Sequence, residues 1–238
     1  MAYLPFDHLP GGFSPNDGTI DFYSRIKTLI SSEMVVLDLG AGRAGWFEDD
    51  QIAFRRDMRL LRGHVASVVA VDVDEAVLEN KSADETYVMS DDQIPLEDNS
   101  VDLIVSDYVL EHIDDAKAYA GEIDRILKPG GWFCARTPHK YCYVSLAASL
   151  VQNAKHSKLL AKVQPHRKEI DVFPTRYKLN TLADIHRAFA GYSSKSFIFR
   201  SDPAYYFGRK WLYKLMALAH RIAPAFFTGN LFVFVRKP

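Results

Sequence analysis

Val35-Val36-Leu37-Asp38-Leu39-Gly40-Ala41-Gly42-Arg43-Ala44-Gly45 is an apolar run that ends in a glycine-rich turn, with one carboxylate two residues before the first glycine. It reads as a buried strand delivering its C-terminal end to a ligand. Such a turn lets backbone N–H groups come close to the ligand and points them at it, while an acid at the strand's end can hold a cationic group. Neutral glycines beside an anchoring acid suit a positively charged nucleoside better than a pyrophosphate. The string Gly40-x-Gly42-x-x-Gly45 also fits the dinucleotide fingerprint, which asks for a ribose-binding acid roughly 20 residues further on. The next strand-end acid, Asp72, lies well beyond that, and pyrophosphate binding gives Asp38 no purpose. A tight turn with no ligand is the plain alternative.

Working outward, strands alternate with helical crossovers. Thr19–Ser31 carries apolar residues at helical spacing, with Asp17 or Thr19 to cap it. Ala44–Arg62 reads as one charged, solvent-facing helix. Val65–Val71 is a second apolar strand, a short helix covers 75–81, and Thr86–Ser90 and Val101–Ser106 are strands three and four. Asp114–Leu127 is an amphipathic helix, which Lys128-Pro129-Gly130-Gly131 stops with a cation at its dipole and then breakers. Trp132–Thr137 is strand five. The pattern predicts an α/β fold with a doubly wound, mostly parallel sheet, whose ligand binds beyond the carboxyl ends of the strands. After Pro138 the rhythm breaks: helices are expected at Val144–Ala154 and Thr181–Ala190, with strands near Lys195–Arg200 and at Leu231–Val235.

The chain has 238 residues, room for one α/β domain or two small ones, and 48% hydrophobic residues are enough for a large core. Its 29 Lys and Arg against 30 Asp and Glu give a net charge of -1, so no global field recruits nucleic acid. No basic stretch followed by an apolar run opens the sequence, and no uncharged segment is long enough to span a bilayer. Two cysteines, Cys134 and Cys142, are too few for a disulfide framework or zinc site. A cytoplasmic setting is expected, and no histidine pair has metal-ligand spacing, so no metal is expected.

Acids recur where successive strands end: Asp38, Asp72, Asp91 or Asp92, and Asp107. One such Asp alone is an ordinary turn former. As a set they describe an adenosine site with an extra cationic attachment, the second acid accepting both ribose hydroxyls.

Here the chain resembles class I S-adenosylmethionine-dependent methyltransferases that act on small molecules. The matching segments, in order, are Val36–Gly42, Val71-Asp72-Val73-Asp74, Ile94–Asp102, Val109-Leu110-Glu111-His112 and Leu127–Gly131. The resemblance covers roughly residues 33–137 and implies a seven-stranded sheet with a reversed last strand and S-adenosylmethionine as cofactor. Carried over, Asp38 holds the methionine amino end, Gly40, Ala41 and Gly42 give the cofactor room, and Asp72 with Val73 takes the ribose. Asp91 or Asp92 meets the adenine amine, with Ser90 standing where an acid is common, and Asp107 lies beside the methionine moiety and the substrate. Ala44 falls where many members have glycine, which a negative φ would make tolerable.

If the methyl acceptor is a hydroxyl, a base must take its proton, and His112 is the candidate. Packing or capping is its bland alternative. The whole chain, residues 1–238, is expected to form one methyltransferase domain with an irregular arm over 1–18 and cap segments inserted at 138–180 and 203–228. His139, Tyr141, His166, Tyr177 and Asn180 are the candidate substrate contacts. Arg136–His139, Asp171–Thr175 and Tyr177–Thr181 resemble methyltransferases of bacterial surface-polysaccharide biosynthesis, which implies a glycan or glycoconjugate acceptor. A quinone or lipid-like acceptor, a cofactor-binding protein without turnover, and an NAD-dependent oxidoreductase are the alternatives. Trp211–His220 could rest on a membrane surface or cradle a lipid tail, but its few charges favour packing on the sheet edge. The oligomeric state is not encoded in any motif.

Overall fold

The computed structural model describes residues 3–90, 93–153 and 174–238. Five parallel strands form the framework: β1 (Val35–Leu39), β2 (Ser67–Asp72), β3 (Glu85–Val88), β4 (Val101–Asp107) and β5 (Leu127–Pro138). The last strand, β8 (Gly229–Arg236), runs antiparallel to β5, and its far edge carries β6 (Ser193–Ser194) and β7 (Phe197–Arg200). The order is β3-β2-β1-β4-β5-β8-β6, with β7 also on β8. Because β6 and β7 pair with opposite ends of the same edge, they act as one strand interrupted at Lys195-Ser196. The sheet is therefore the expected seven-stranded one with a reversed strand.

β1, β2 and β4 are apolar on both faces because helices cover both. On one side α1 (Gly18–Lys27) buries Phe22, Tyr23 and Ile26 against Val36, Leu103 and Phe232. On the other, α4 (Ala116–Ile126) buries Ile123 and Ile126 against Leu37, Ile104 and Phe133. Asp17 caps α1 by accepting from the Thr19 and Ile20 N–H groups, and Asp115 caps α4 in the same way through Lys117 and Ala118.

Three local expectations are corrected. The stretch 44–62 is not one helix but two short ones, α2 (Trp46–Asp49) and α3 (Ala53–Arg59). Between them Asp50 accepts the Ile52 N–H at 3.0 Å and holds Arg55, a local bond that replaces helix continuity. Lys128 does not sit on the end of α4; its ammonium reaches Asp102 at 2.8 Å, and the same carboxylate accepts the Val35 N–H at the start of β1. Ala44 has φ +53°, in the left-handed region, so the condition that would have made it unstrained is not met.

Among the described residues the remaining α-helices are α5 (Tyr143–Asn153), α6 (Leu182–Ala188), α7 (Lys210–Ile222) and α8 (Ala225–Thr228). In α7 one face packs inward through Tyr213 and His220, while Trp211, Leu215, Leu218 and Ile222 point outward. The inward face packs on Tyr3, Phe6, Tyr206 and Tyr143, so it rests on the N-terminal arm, the 201–206 loop and α5 rather than on the sheet edge that was expected. Among the described residues, no helix is long and apolar enough to cross a membrane.

Candidate functional site

The ends of β1, β2 and β4 open into a cavity of about 470 Å³, within the range of small-molecule sites. Gly40, Ala41 and Gly42 form its floor, Asp72, Val73 and Met89 one wall, and Val109, His112, Ile113 and Tyr119 the other. Pro174 and Arg176 close part of the rim.

The glycine turn does not point its N–H groups at a ligand, contrary to expectation. Gly40 donates to the Val71 carbonyl at 2.7 Å, Ala41 to the same oxygen at 3.3 Å, and Gly42 to Asp72 Oδ2 at 2.8 Å. The turn is tied to the end of β2, and these three donors are not available to a pyrophosphate. What the glycines supply is room. A Cβ on Gly40 would lie 2.2 Å from Val109 Cγ2, and one on Gly42 would meet nothing nearer than Asp72 Oδ2 at 4.0 Å, so a side chain there would fill space beside that acid. Both have positive φ.

Asp72 is buried at the end of β2. Its carboxylate accepts from Gly42 and, at 3.0 Å, from the Asp74 N–H. A carboxylate offers about four acceptor positions, so two remain for a pair of hydroxyls.

Asp38 and Asp107 turn away from this cavity. Asp38 lines a small neighbouring void with Tyr23, Trp46 and Arg59. Burial pushes its carboxyl up to about 7, against the pull of the Arg59 guanidinium and with a further push from the Asp107 and Asp72 carboxylates. Asp107 was expected beside the cofactor and substrate, but its oxygens face Arg136, which donates Nε and Nη2 to them at 2.7 Å each. Tyr23 and Arg59 complete its surroundings at 3.3 and 3.4 Å. Burial alone would raise the Asp107 carboxyl, yet the two guanidinium groups outweigh it and hold it below its ordinary value. Arg59, Tyr23 and Trp46 were missed in the sequence, where no motif marks them; they come from α3, α1 and α2 and gather only in the fold, with the Arg59 guanidinium over both rings.

His112 ends a 3₁₀ turn, Leu110–His112, that follows β4. Its Nδ1 lies 3.1 Å from the Pro174 carbonyl. A carbonyl oxygen can only accept, so Nδ1 carries a proton and donates in that bond. Its neighbour Glu111 is buried; it accepts the Thr137 hydroxyl at 2.8 Å, and its carbonyl accepts the Arg176 and Tyr177 N–H groups at 2.6 and 3.1 Å. Residues 174–177 are thereby strapped to the cavity's edge.

Among the described residues, the proposed substrate contacts His139, Tyr141, Tyr177 and Asn180 do not line the cavity. His139, Tyr177 and Asn180 are buried around the start of α5, and Asn180 donates to Thr137 Oγ1 at 2.7 Å and to the Pro138 carbonyl at 3.0 Å. Burial pushes the His139 imidazolium's pKa down, only partly countered by Asp184. Tyr141 is half exposed beside them, its N–H donating to His139 Nδ1 at 3.2 Å. Asp91, Asp92 and His166 lie outside the described residues. Met89, just before the first two, lines the cavity, with its N–H on the Asp72 carbonyl at 2.8 Å. Cys134 is fully buried in β5, which pushes its thiol up, out of reach of nucleophilic use. Among the described residues no group of His, Cys, Asp and Glu is arranged to hold a metal ion.

Comparison with known proteins agrees with this geometry. The family model described as "Methyltransferase domain" matches residues 37–135, from β1 through most of β5. A probable S-adenosylmethionine-dependent methyltransferase of Mycolicibacterium smegmatis is 34% identical over 82 residues, 32% of this chain and 31% of that one. Demethylmenaquinone methyltransferase of Staphylococcus saprophyticus is 29% identical over 128 residues, 48% of this chain and 52% of that one. The chain thus spans about a third to a half of the length of these curated relatives. The crystal structure of a SAM-dependent methyltransferase from Aquifex aeolicus shares the fold, with a TM-score of 0.52 at 16% identity over 94% of each chain. Residues 37–135 thus match a methyltransferase domain, and the chain is similar to S-adenosylmethionine-dependent methyltransferases in sequence over part of its length and in fold.

Proposed function

We propose that this protein transfers the methyl group of S-adenosylmethionine to a small-molecule acceptor. The observation that carries this reading is the cavity in which Gly42 leaves open space directly beside a buried Asp72 with two unfilled acceptor positions. That pairing fits a ribose laid against the turn. Gly40, Ala41, Gly42, Asp72 and Val73 would hold the nucleoside, with Met89 beside it. Asp38 would answer the charge of the methionine ammonium once Tyr23, Trp46 and Arg59 make way. When bound, the cofactor supplies an electrophilic methyl, whose bond to sulfur breaks as the bond to the acceptor's oxygen, nitrogen or carbon forms.

The chain's own contribution is placement and proton transfer. Val109, Ile113 and Tyr119 exclude water from the acceptor side, and alignment of two partners can remove several kcal/mol of barrier. For a hydroxyl acceptor, His112 takes the proton on Nε2, its ring held by the Pro174 carbonyl. A glycan or glycoconjugate hydroxyl is the acceptor class supported by the motifs around residues 136–139 and 171–181. A quinone-like acceptor is the second reading, supported by the likeness to demethylmenaquinone methyltransferase over 128 residues.

Calorimetric titration tests the cofactor assignment. S-adenosylmethionine and S-adenosylhomocysteine should bind, NADH should not, and Asp72→Ala should lose about 10- to 100-fold in affinity, the size of one or two charged hydrogen bonds. Binding of NADH alone overturns the reading. Radiolabelled methyl incorporation into cell extracts then identifies the acceptor. His112→Ala should keep cofactor affinity and lose turnover; unchanged turnover on a hydroxyl acceptor removes it as the base.

A further inference from the structure

The outward face of α7 is a row of large apolar side chains that the rest of the described structure leaves exposed. Trp211, Leu215, Leu218 and Ile222 recur at i, i+4, i+7 and i+11 and form one row along the helix. They are 62%, 58%, 58% and 81% exposed, although each is a large apolar side chain. Lys210, Lys214 and Arg221 immediately precede three of them, so a row of cations runs along one flank of the apolar row. The opposite face anchors the helix. Tyr213 packs on Tyr3, Phe6 and Tyr206 with ring centroids 5.2–6.0 Å apart, and His220 Nδ1 lies 3.0 Å from the Ser201 carbonyl.

Charge decides what covers this face. From Pro203 to the last residue there is no Asp or Glu, against six Lys and Arg. A symmetric pair of copies would bring two cation rows together with no acid in α7 to answer them. An anionic bilayer supplies both requirements: acyl chains for the apolar row, and headgroup phosphates for the long, flexible cationic side chains on its flank, of which Lys210 lies over the Tyr3 ring at 5.7 Å in the free chain. The placement is also productive. The segment holding α7 joins the end of β7 to the start of β8, at the sheet edge where the parallel strands end, and Asn230 at that start donates to the Tyr108 hydroxyl on the cavity wall at 3.1 Å.

We propose that the outward face of α7 docks this protein on an anionic lipid surface, lying in the interface without crossing it. The proposal is independent of the reaction assigned to the cavity.

Co-sedimentation of the full chain with phosphatidylcholine–phosphatidylglycerol vesicles, and with pure phosphatidylcholine vesicles, tests it. The protein should partition onto the anionic vesicles, less at high salt, and barely onto the neutral ones. K210E/K214E/R221E should weaken partitioning by about 100-fold, from about fivefold per cation. W211S/L215S/L218S/I222S should abolish it while circular dichroism and thermal unfolding stay as in the wild type, since these side chains are exposed. Equal uptake by both vesicle types, no uptake by either, or an unaffected charge-reversed variant each overturns the proposal. So does a vesicle-free dimer, seen in sedimentation velocity, that the serine variant dissociates while wild type ignores the vesicles.

Discussion

Replacing Asp38 by Asn tests the electrostatics at the end of β1 most directly. With its carboxyl pushed up to about 7, Asp38 is about half ionised at pH 7 and about 3% ionised at pH 5.5. Only the ionised form attracts an ammonium, so the affinity for S-adenosylmethionine should rise about 15-fold between these pH values. An α-amino group keeps its proton throughout that range, so the change reports on the protein. Calorimetry in buffers of different ionisation enthalpy should find about half a proton released on binding at pH 7 and close to one at pH 5.5. Asp38→Asn should bind at least tenfold more weakly at pH 7, without that pH dependence or proton release. Stability gives the opposite sign. A carboxyl raised from 3.8 to about 7 penalises folding increasingly as pH rises through that window. Asp38→Asn should therefore be more stable than wild type at pH 8, by on the order of 2–4 kcal/mol, with the difference gone below about pH 4. A wild type whose affinity is flat from pH 5.5 to 7 with no proton exchange refutes the reasoning.

Two further substitutions probe the surrounding frame. Ala44→Gly relieves a left-handed alanine and should stabilise by about 1 kcal/mol after glycine's greater loss of chain entropy, read from urea midpoints; a lower midpoint counts against strain at this residue. Arg136→Ala leaves the Asp107 carboxylate buried without its main partner and should cost about 3–5 kcal/mol, whereas Asp107→Asn with Arg136→Met should recover most of it. Because the Asp107 carboxyl is held low, the wild-type advantage over Arg136→Ala should be full above the ordinary carboxylate range and shrink as pH falls towards its depressed value.

The sheet was legible because its strands are apolar runs ending in acids and glycines, a pattern set by burial on both faces. Asp72 and the Gly40–Gly42 turn followed from that pattern and do line the cavity. The donors of that turn were misread because their destination, the end of β2, is a tertiary contact that spacing does not encode. Residues 44–62 looked like one helix since their propensities are helical; the Asp50 side chain, bonding to its own backbone two residues on, interrupts them. His139, Tyr177 and Asn180 were chosen for lying in the segment after β5, yet the chain turns there and buries them under α5. The exposure of α7 was weighed in the sequence but set below packing for a similar reason: amphipathic spacing names an apolar face without saying whether protein covers it.

Glu111 makes the rim and the candidate base mechanically inseparable. One backbone oxygen grips two successive amides of the strap, while the adjoining imidazole leans on that strap's Pro174. A displacement of residues 174–177 would either swing the histidine along with the strap or strip its ring of the Pro174 contact, so a change at this side of the mouth would be felt at the imidazole.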